Sequence, residues 1–400
     1  MTRKKEEKPL SNDEVTAHTA SMWKYLLPPD FPEPYPEYMK GGGKNKTAEV
    51  TAARVRGKKH KHEGTNCDDW VEYRFAGDIV IAAVSDGAGS KPLSRIGAKT
   101  SCAAVADSLQ SEFNRLPLGL LSELSKPLDS SDFAAACSAL ASIMQNSFKK
   151  AFNKVNKAFS DFRDSEKMFE HLGRVPEIND FAATLLAAAV IPVNKEFLVI
   201  SVQVGDGAIA TVNPKAGFDE ALCLLGAPDS GSFAGETEFL ISPQIREPNS
   251  LMRRTMIKRG KMSTVLLMSD GVADDYYPAK NELLRLYLDL ELNGILQNGN
   301  EPKEIPPALA KAIPAPIAYP WVNDSDISYS LQYTSHVMEK TGLSLAALWE
   351  NHGARQAAAL KSFGITHGVD KAEALSVWLD NYSQRGSFDD RALVVIELGV

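Results

Sequence analysis

Cysteine is scarce in this sequence, and its placement excludes several site types. The four cysteines, Cys67, Cys102, Cys137 and Cys223, form no CxxC pair, which argues against zinc and dithiol redox motifs and favours reduced, mostly buried thiols. None is followed by an arginine six positions later, so the nucleophile loop of cysteine-dependent tyrosine phosphatases is absent.

Long apolar runs and an excess of positive charge are also absent. The longest apolar stretch, Phe181 to Val193, is shorter than the roughly 20 residues that span a bilayer. The charged N-terminus is not followed by an apolar core, so no secretory signal is expected. A net charge of −7 gives no general attraction to nucleic acid or anionic membranes. We expect a soluble, cytoplasmic protein without nucleic-acid or membrane partners, and the oligomeric state stays open.

The first 48 residues read as an N-terminal extension or linker rich in proline and glycine. The prolines between Pro28 and Pro36 exclude regular helix and central strand. Gly41 to Thr47 is then typical of a flexible joint. Residues 49–400 are predicted to form one domain, with a mainly helical insertion at about 276–385.

Apolar runs and helical periodicities alternate in blocks along residues 50–400. Two long helices, Arg95 to Phe113 and Asp132 to Phe162, separate an early and a late group of strands. Because helices and strands are segregated, the fold class is predicted as α+β, a layered β-sandwich flanked by helices. The predicted strands are Ala52–Arg56, Trp70–Phe75, Ile79–Ser85, Phe181–Ile191, Phe197–Val204, Ala208–Val212, Ala221–Leu225, Ser263–Ser269 and Arg391–Leu398.

Three of these strands carry aspartate at one end. Ile79–Ser85 runs into Asp86, Thr264–Ser269 runs into Asp270, and Asp389 stands just before the last strand. Carboxylates gathered at one edge of a sheet repel one another unless a cation lies between them, so a divalent metal site is the natural interpretation.

Further polar residues near strand ends are ambiguous. Asp206, between two glycines, is equally consistent with a ligand and with a hairpin turn. Asp68 and Asp69 could add ligands or belong to a solvated loop, and His60 and His62 are more typical of exposed side chains.

An all-oxygen ligand set favours Mg²⁺ or Mn²⁺ over zinc or copper. Two such ions activate a water and neutralise phosphate oxygens during in-line attack. The residues therefore suggest hydrolysis of a phosphate ester without a covalent intermediate.

The order of the motifs resembles that of the metal-dependent serine/threonine protein phosphatases of type 2C, particularly their bacterial branch. Matching residues cover about 52–275 and 386–398. The matching segments are Gly57–His60 with Gly64 and Cys67–Asp69, Val84–Ser90 with Gly97–Ala98, Asp180–Leu186, Val204–Gly207, Phe233–Leu240, Met268–Gly271 and Ser387–Arg391.

This resemblance implies a two-metal centre at one end of the β-sandwich. The metal pair would be held by Asp69, Asp86, the Gly87 carbonyl, Asp270 and Asp389. Asp206 and Asp274 would be ligands of a weaker third ion. Asp390 stands where the family usually has asparagine and would support the ligands by hydrogen bonding.

Two family features are missing from the sequence. Many members carry a histidine shortly after the second motif's Asp-Gly, proposed as a general acid, and an arginine before the first acidic pair, which grips phosphate. Here Ala88, Gly89 and Ser90 follow Gly87, and no arginine immediately precedes Asp69. We therefore consider His60, or a lysine of the Lys58–Lys61 loop, as the phosphate-binding or proton-donating group.

The resemblance implies a Mg²⁺- or Mn²⁺-dependent enzyme that hydrolyses phosphoserine and phosphothreonine in proteins through a metal-activated water. Asp86 and Asp270 would act in catalysis through the bound metal. A phosphorylated protein would be its substrate and a serine/threonine kinase its counterpart.

Two rival interpretations remain. A pseudophosphatase would use the same fold as a binding or regulatory module. A phosphohydrolase of the haloacid dehalogenase type would use an aspartate of Asp324–Ser328 as nucleophile, but no apolar strand leads into that segment.

Overall fold

The computed structural model describes residues 23–226, 237–276, 280–296, 306–312, 332–350, 352–365, 370–381 and 388–399. The strands in these ranges are β1 (Tyr38–Lys44), β2 (Ala48–Val55), β3 (Trp70–Ala76), β4 (Ile79–Ser85), β5 (Leu185–Val193), β6 (Glu196–Val204), β7 (Ala208–Val212), β8 (Leu222–Leu224), β9 (Thr255–Gly260), β10 (Thr264–Met268) and β11 (Arg391–Leu398).

The strands form two sheets in which every neighbouring pair is antiparallel. The first sheet has six strands in the order β1–β2–β11–β10–β7–β8, and the second has five in the order β3–β4–β5–β6–β9. The C-terminal strand β11 therefore inserts between β2 and β10 in the middle of the first sheet.

The strands read as continuous apolar runs because both of their faces are buried. Along β4, Val80, Ala82 and Val84 point into the core between the sheets. Ile81 and Ala83 point instead into the core between the second sheet and its helices. A strand buried on both faces loses the alternation of apolar and polar residues that marks a strand with one solvated face.

Helical layers cover the outer faces of both sheets. The helices in the described ranges are α1 (Lys58–Glu63), α2 (Ser94–Phe113), α3 (Leu118–Glu123), α4 (Ser131–Arg163), α5 (Glu166–Leu172), α6 (Ser250–Arg253), α7 (Asp270–Tyr276), α8 (Lys280–Leu292), α9 (Pro307–Ala312), α10 (Gln332–Thr341), α11 (Leu345–Glu350), α12 (His352–Ser362) and α13 (Lys371–Asn381), with 3₁₀ turns at Ile178–Phe181 and Pro243–Arg246.

One helical layer packs on each sheet. Helices α2 and α4 bury Val105, Leu109 and Phe148 against the second sheet. Helices α8 and α13 bury Leu284 and Trp378 in the core formed with the first sheet. The predicted α+β sandwich with flanking helices is confirmed.

The segment predicted as a helical insertion supplies the helical layer on the first sheet. Two of its helices, α8 and α13, are joined by a hydrogen bond from the buried Trp378 Nε1 to Asp289 Oδ2 at 2.7 Å. Lys371 connects α13 to the first sheet through Glu397 and Glu49. The described helices of this segment are part of the sandwich because they cover the outer apolar face of the first sheet.

The prediction of a flexible joint at Gly41–Thr47 is wrong. Tyr38–Lys44 forms the edge strand β1, which pairs with β2 from Tyr38–Val55 to Lys44–Glu49. A Cβ at Gly43 would lie 3.0 Å from the Phe75 ring, so the glycine leaves room for an aromatic side chain of the second sheet. Residues 23–37 have no regular helix or strand, and this range includes Pro28–Pro36, for which none was expected. Residues 1–22 lie outside the described ranges.

Within the described ranges, helices that combine the length and apolarity needed to cross a membrane are absent. All four cysteines are free thiols, and Cys67 and Cys102 are buried.

Candidate metal centre

Three predicted aspartates meet at one edge of the sandwich. Strands β4 and β6 both run antiparallel to β5, so they end at the same edge, where Asp86 and Asp206 follow them. Asp270 follows β10 at the corresponding edge of the other sheet. One carboxylate oxygen from each of these three aspartates lies within 4.8 Å of the other two.

Asp69 joins this cluster from the start of β3. It is fully buried, and its charge raises the pKa of Asp86, which places the two carboxylates close to each other. Its Oδ2 accepts a hydrogen bond from Ser269 Oγ at 2.7 Å, whereas its Oδ1 has no partner. Asp206 similarly has one occupied oxygen, which accepts from Thr237, and one buried oxygen without a partner.

Thr184 fixes the turn that carries Asp86. Its hydroxyl accepts from the Asp86 N–H at 2.8 Å, and its own N–H donates to the Asp86 carbonyl at 2.8 Å. Gly87 is buried and bridges to Ala183 in the neighbouring strand segment. The Asp86-Gly87 turn is therefore held by the backbone, which leaves the carboxylate free to face the cluster.

Two glycines beside the aspartates allow the chain segments to approach. A Cβ on Gly271 would lie 1.9 Å from the Asp390 carbonyl oxygen, so a side chain is excluded there. Gly205 has a φ of 115°, a left-handed conformation that other residues rarely adopt. The Asp-Gly and Gly-Asp pairs thus reflect close packing around the site.

The carboxylates destabilise one another in the absence of a cation. Burial and the neighbouring Asp270 raise the pKa of Asp86 well above its usual range. Burial and Asp206 do the same to the pKa of Asp270. Burial and Asp390 raise the pKa of Asp69 to about 7. Two unit charges at this separation repel by about 3 kcal/mol at an effective dielectric constant near 20.

The remaining predicted ligands lie around this cluster. The charges of both Asp389 and Asp274 act on Asp270, which places them at the same edge of the sandwich. The Asp389 carboxylate accepts a hydrogen bond from the Asp390 N–H at 2.8 Å.

A second buried cluster forms around Asp390. Its carboxylate accepts from the Gly57 N–H at 2.6 Å, from the Asp68 N–H, and from His60 Nδ1 at 2.8 Å. Burial opposes the charge of Asp390, but the His60 hydrogen bond and these N–H donors lower its pKa below the usual value. Burial also opposes the charge of His60, but Asp390 raises the pKa of His60 to about 9.

The expectation that His60 is exposed is wrong, because it is only 6% exposed in helix α1. The sequence reasoning missed its pairing with Asp390. The sequence pointed to this pairing only in that His60 and Asp390 both lie in segments that match the family, Gly57–His60 and Ser387–Arg391.

Some predicted motif residues are outside the described ranges. Phe233 to Glu236, Ser387 and the alternative nucleophile segment Asp324–Ser328 fall among them.

The donor set around Asp86 fits a divalent cation. All its donors are carboxylate or carbonyl oxygens, which Mg²⁺ and Mn²⁺ prefer. Within the described residues, no lysine or arginine forms an ion pair with Asp69, Asp86, Asp206 or Asp270. The unpartnered buried oxygens of Asp69 and Asp206 are what a metal site requires.

Comparison with solved structures gives similar chains at low identity. RsbX in complex with magnesium has 12% identity and a TM-score of 0.35, with 90% of this chain and 100% of that chain covered. The catalytic domain of the serine/threonine phosphatase PstP with two manganese ions has 12% identity and a TM-score of 0.35, with coverages of 88% and 99%. Stp1 from Staphylococcus aureus has 10% identity and a TM-score of 0.35, with coverages of 93% and 96%.

A search of curated proteins gave no significant match. The sequence profile of the protein phosphatase 2C family matches residues 56–294, which is more than half of the chain. This span contains Asp69, Asp86, Asp206 and Asp270. The chain therefore belongs to the protein phosphatase 2C family.

Proposed function

We propose that this protein hydrolyses phosphoserine and phosphothreonine in other proteins, using Mg²⁺ or Mn²⁺ and an activated water. The observation that carries the proposal is the convergence of Asp86, Asp206 and Asp270 within 4.8 Å, with the buried Asp69 close enough for its charge to raise the pKa of Asp86. A pseudophosphatase that does not bind metal has no need to keep these like charges together. Each raised pKa means that ionisation of the carboxylate lowers the stability of the folded state.

Asp69, Asp86, the Gly87 carbonyl, Asp270 and Asp389 are proposed to hold two ions. Asp206 and Asp274 are proposed for a third, although Asp206 lies within the same cluster as Asp86 and Asp270. Such ions, when bound, supply an activated water and neutralise the oxygens of the phosphate. Asp86 and Asp270 would thus contribute to catalysis through the metal.

The surrounding residues would orient these ligands. Ser269 holds one Asp69 oxygen and leaves the other free, and Thr184 fixes the Asp86 backbone. His60 Nδ1 is bound to Asp390, so Nε2 is the atom of His60 available to donate a proton or bind phosphate. His60 also lines a cavity beside the cluster, as a group that serves the substrate must.

The implied substrate is a phosphorylated protein, which in turn implies a serine/threonine kinase that produces it. The pseudophosphatase alternative predicts binding of the phosphoprotein without turnover. One assay distinguishes the two functions.

That assay measures phosphate release from a phosphothreonine peptide with Mn²⁺, Mg²⁺ or EDTA. We expect metal-dependent release, lost in Asp86→Asn with Asp270→Asn, because both variants remove a charged ligand. Asp78→Asn is the matched control, since Asp78 is an exposed aspartate after a glycine in the β3–β4 turn. Release that survives the double substitution would overturn the metal mechanism. Peptide binding without release under every metal condition would favour the pseudophosphatase.

A further inference from the structure

A cavity of about 320 Å³ lies directly beside the metal centre. Two chain segments connect the candidate metal centre to the cavity. In the first, Asp69 belongs to the carboxylate cluster and the preceding residue, Asp68, lines the cavity. In the second, Gly87 is a proposed ligand and Gly89, two residues later, lines the cavity. Consecutive Cα atoms are about 3.8 Å apart, so the cavity is within reach of residues neighbouring a phosphoresidue at the metals.

The N-terminal segment 23–37 builds one wall of this cavity. Pro29 and Phe31 line it, and the centroid of the Phe31 ring lies 4.5 Å from that of His171, another lining residue. Arg95 donates to the Phe31 carbonyl at 2.6 Å, and Lys99 pairs with Glu33 at 2.7 Å. The cavity is therefore a built feature of the fold.

The cavity is lined by two lysines outside the described ion pairs. They are Lys59, whose charge acts on Asp389, and Lys91, whose charge acts on Asp180. Arg95 adds a third positive charge to the lining, while the acidic lining residues are Glu63 and Asp68. The excess of positive charge suits an anionic side chain.

Asn66 also lines the cavity. Asn66 is only 7% exposed, its Nδ2 donates to the Pro29 carbonyl at 3.2 Å, and its Oδ1 is buried with no partner. A buried oxygen of this kind costs free energy until a donor reaches it. The Asn66 side chain joins the N-terminal segment to the cavity lining through its bond to Pro29.

We infer that this cavity is a specificity subsite, which binds a carboxylate or phosphate side chain within about two residues of the phosphoresidue, as the spacing along an extended peptide allows. The inference rests on the proposed phosphatase function, because it places the substrate phosphate at the metal centre. A volume of about 320 Å³ lies at the lower end of the range for ligand pockets, which suits a single side chain.

The test compares phosphothreonine peptides that carry Ala, Glu, Lys or phosphoserine at flanking positions on either side. With the full chain and Mn²⁺, we expect kcat/KM to be about tenfold higher for the Glu or phosphoserine peptides than for the Ala peptide, as one charge-assisted contact provides. Comparison of these two peptides shows whether carboxylate or phosphate is the preferred anion. Lys91→Glu should abolish this preference and favour the Lys peptide instead.

Lys167→Glu is the matched control, because Lys167 is exposed on the same helix as His171 but does not line the cavity. It should keep the preference for acidic peptides. Neither variant should change hydrolysis of p-nitrophenyl phosphate, which has no flanking residue. A wild-type protein without preference, or a Lys91→Glu variant that slows every substrate equally, would overturn the subsite.

The proposed function can fail separately from the subsite. If p-nitrophenyl phosphate and all peptides resist hydrolysis, the phosphatase activity is refuted. Fluorescence anisotropy with the labelled Glu and Ala peptides then tests the subsite in the same buffer. Tighter binding of the Glu peptide, lost in Lys91→Glu, would support it, and equal binding would refute it.

Discussion

Ser269 donates its hydroxyl to Asp69 Oδ2 at 2.7 Å, although the two residues are 200 positions apart in the sequence. The same hydroxyl accepts from the Ala392 N–H at 2.9 Å. The Ser269 side chain therefore connects Asp69, the end of β10 and the C-terminal strand β11. The carboxylate geometry and the stability of the fold are coupled through this residue.

Ser269→Ala should weaken both metal binding and folding. The change leaves the buried Ala392 N–H unpaired and frees Asp69, so we expect a loss of about 1–3 kcal/mol in the free energy of unfolding. Mn²⁺ titration and urea denaturation measure the two effects. Ser263→Ala is the control at the other end of β10, where the hydroxyl donates to the Val212 carbonyl. Equal metal affinity in the two variants would contradict the role of Ser269.

The buried His60–Asp390 pair should make stability depend on pH on both sides of neutrality. The pKa of His60 is raised from 6.5 to about 9, so its contribution is complete below 6.5 and is lost as pH rises through 9. The pKa of Asp390 is lowered from 3.8, so its contribution is present above 3.8 and is lost as pH falls. Denaturation of the wild-type protein at several pH values should show both losses.

Asp390→Ala should cost about 3–5 kcal/mol, because it leaves a buried charge and two N–H groups unpaired. Asp390→Asn keeps an acceptor and should cost less. Both variants should bring the pKa of His60 down, which NMR titration of the imidazole measures. An unchanged His60 pKa in Asp390→Asn would show that the pair does not set it.

The metal-free protein should lose stability as pH rises, and added metal should reverse that loss. The pKa values of Asp69, Asp86 and Asp270 are raised in the folded state. Their contribution to the free energy of unfolding is therefore complete below pH 3.8 and is lost as pH rises through their folded-state pKa values, about 7 for Asp69. Mn²⁺ should therefore raise Tm more at pH 8 than at pH 5, since it binds the ionised carboxylates. Scanning calorimetry with Mn²⁺ or EDTA measures this difference. A Tm increase that persists in Asp86→Asn with Asp270→Asn would place the ion elsewhere.

Gly271→Ala should disrupt the fold at the site. Its Cβ would lie 1.9 Å from the Asp390 carbonyl oxygen, a backbone atom that cannot move aside. We expect a loss of about 3 kcal/mol or more, as for other strained backbone substitutions. Gly119→Ala is the control, because its Cβ would meet nothing within 4 Å in helix α3, and alanine favours a helix. Thermal unfolding of both variants tests the prediction, and a stable Gly271→Ala protein would contradict it.

Much of the secondary structure could be predicted from local pattern. The strands Ile79–Ser85 and Arg391–Leu398 and the helix Arg95–Phe113 agree with the structure to within one residue. The strands β1 and β9 were missed, since Gly41–Gly43 removes the apolar signal from β1 and the charged residues of Thr255–Gly260 do so in β9. Glycine in β1 serves packing against the aromatic side chains of Tyr73 and Phe75, which local sequence does not reveal.

The sequence by itself determined the family, the α+β class and the aspartates that follow apolar strands. These features depend on residue types at fixed short spacing, which the chain states directly. Only the tertiary structure decided that Asp206 lies with Asp86 and Asp270, that Asp390 binds His60 across 330 positions, and that the segment after α7 covers a sheet. The physical reason is that these contacts depend on the order in which strands pair and on which faces remain apolar. That order brings distant residues together and leaves no local pattern in the sequence.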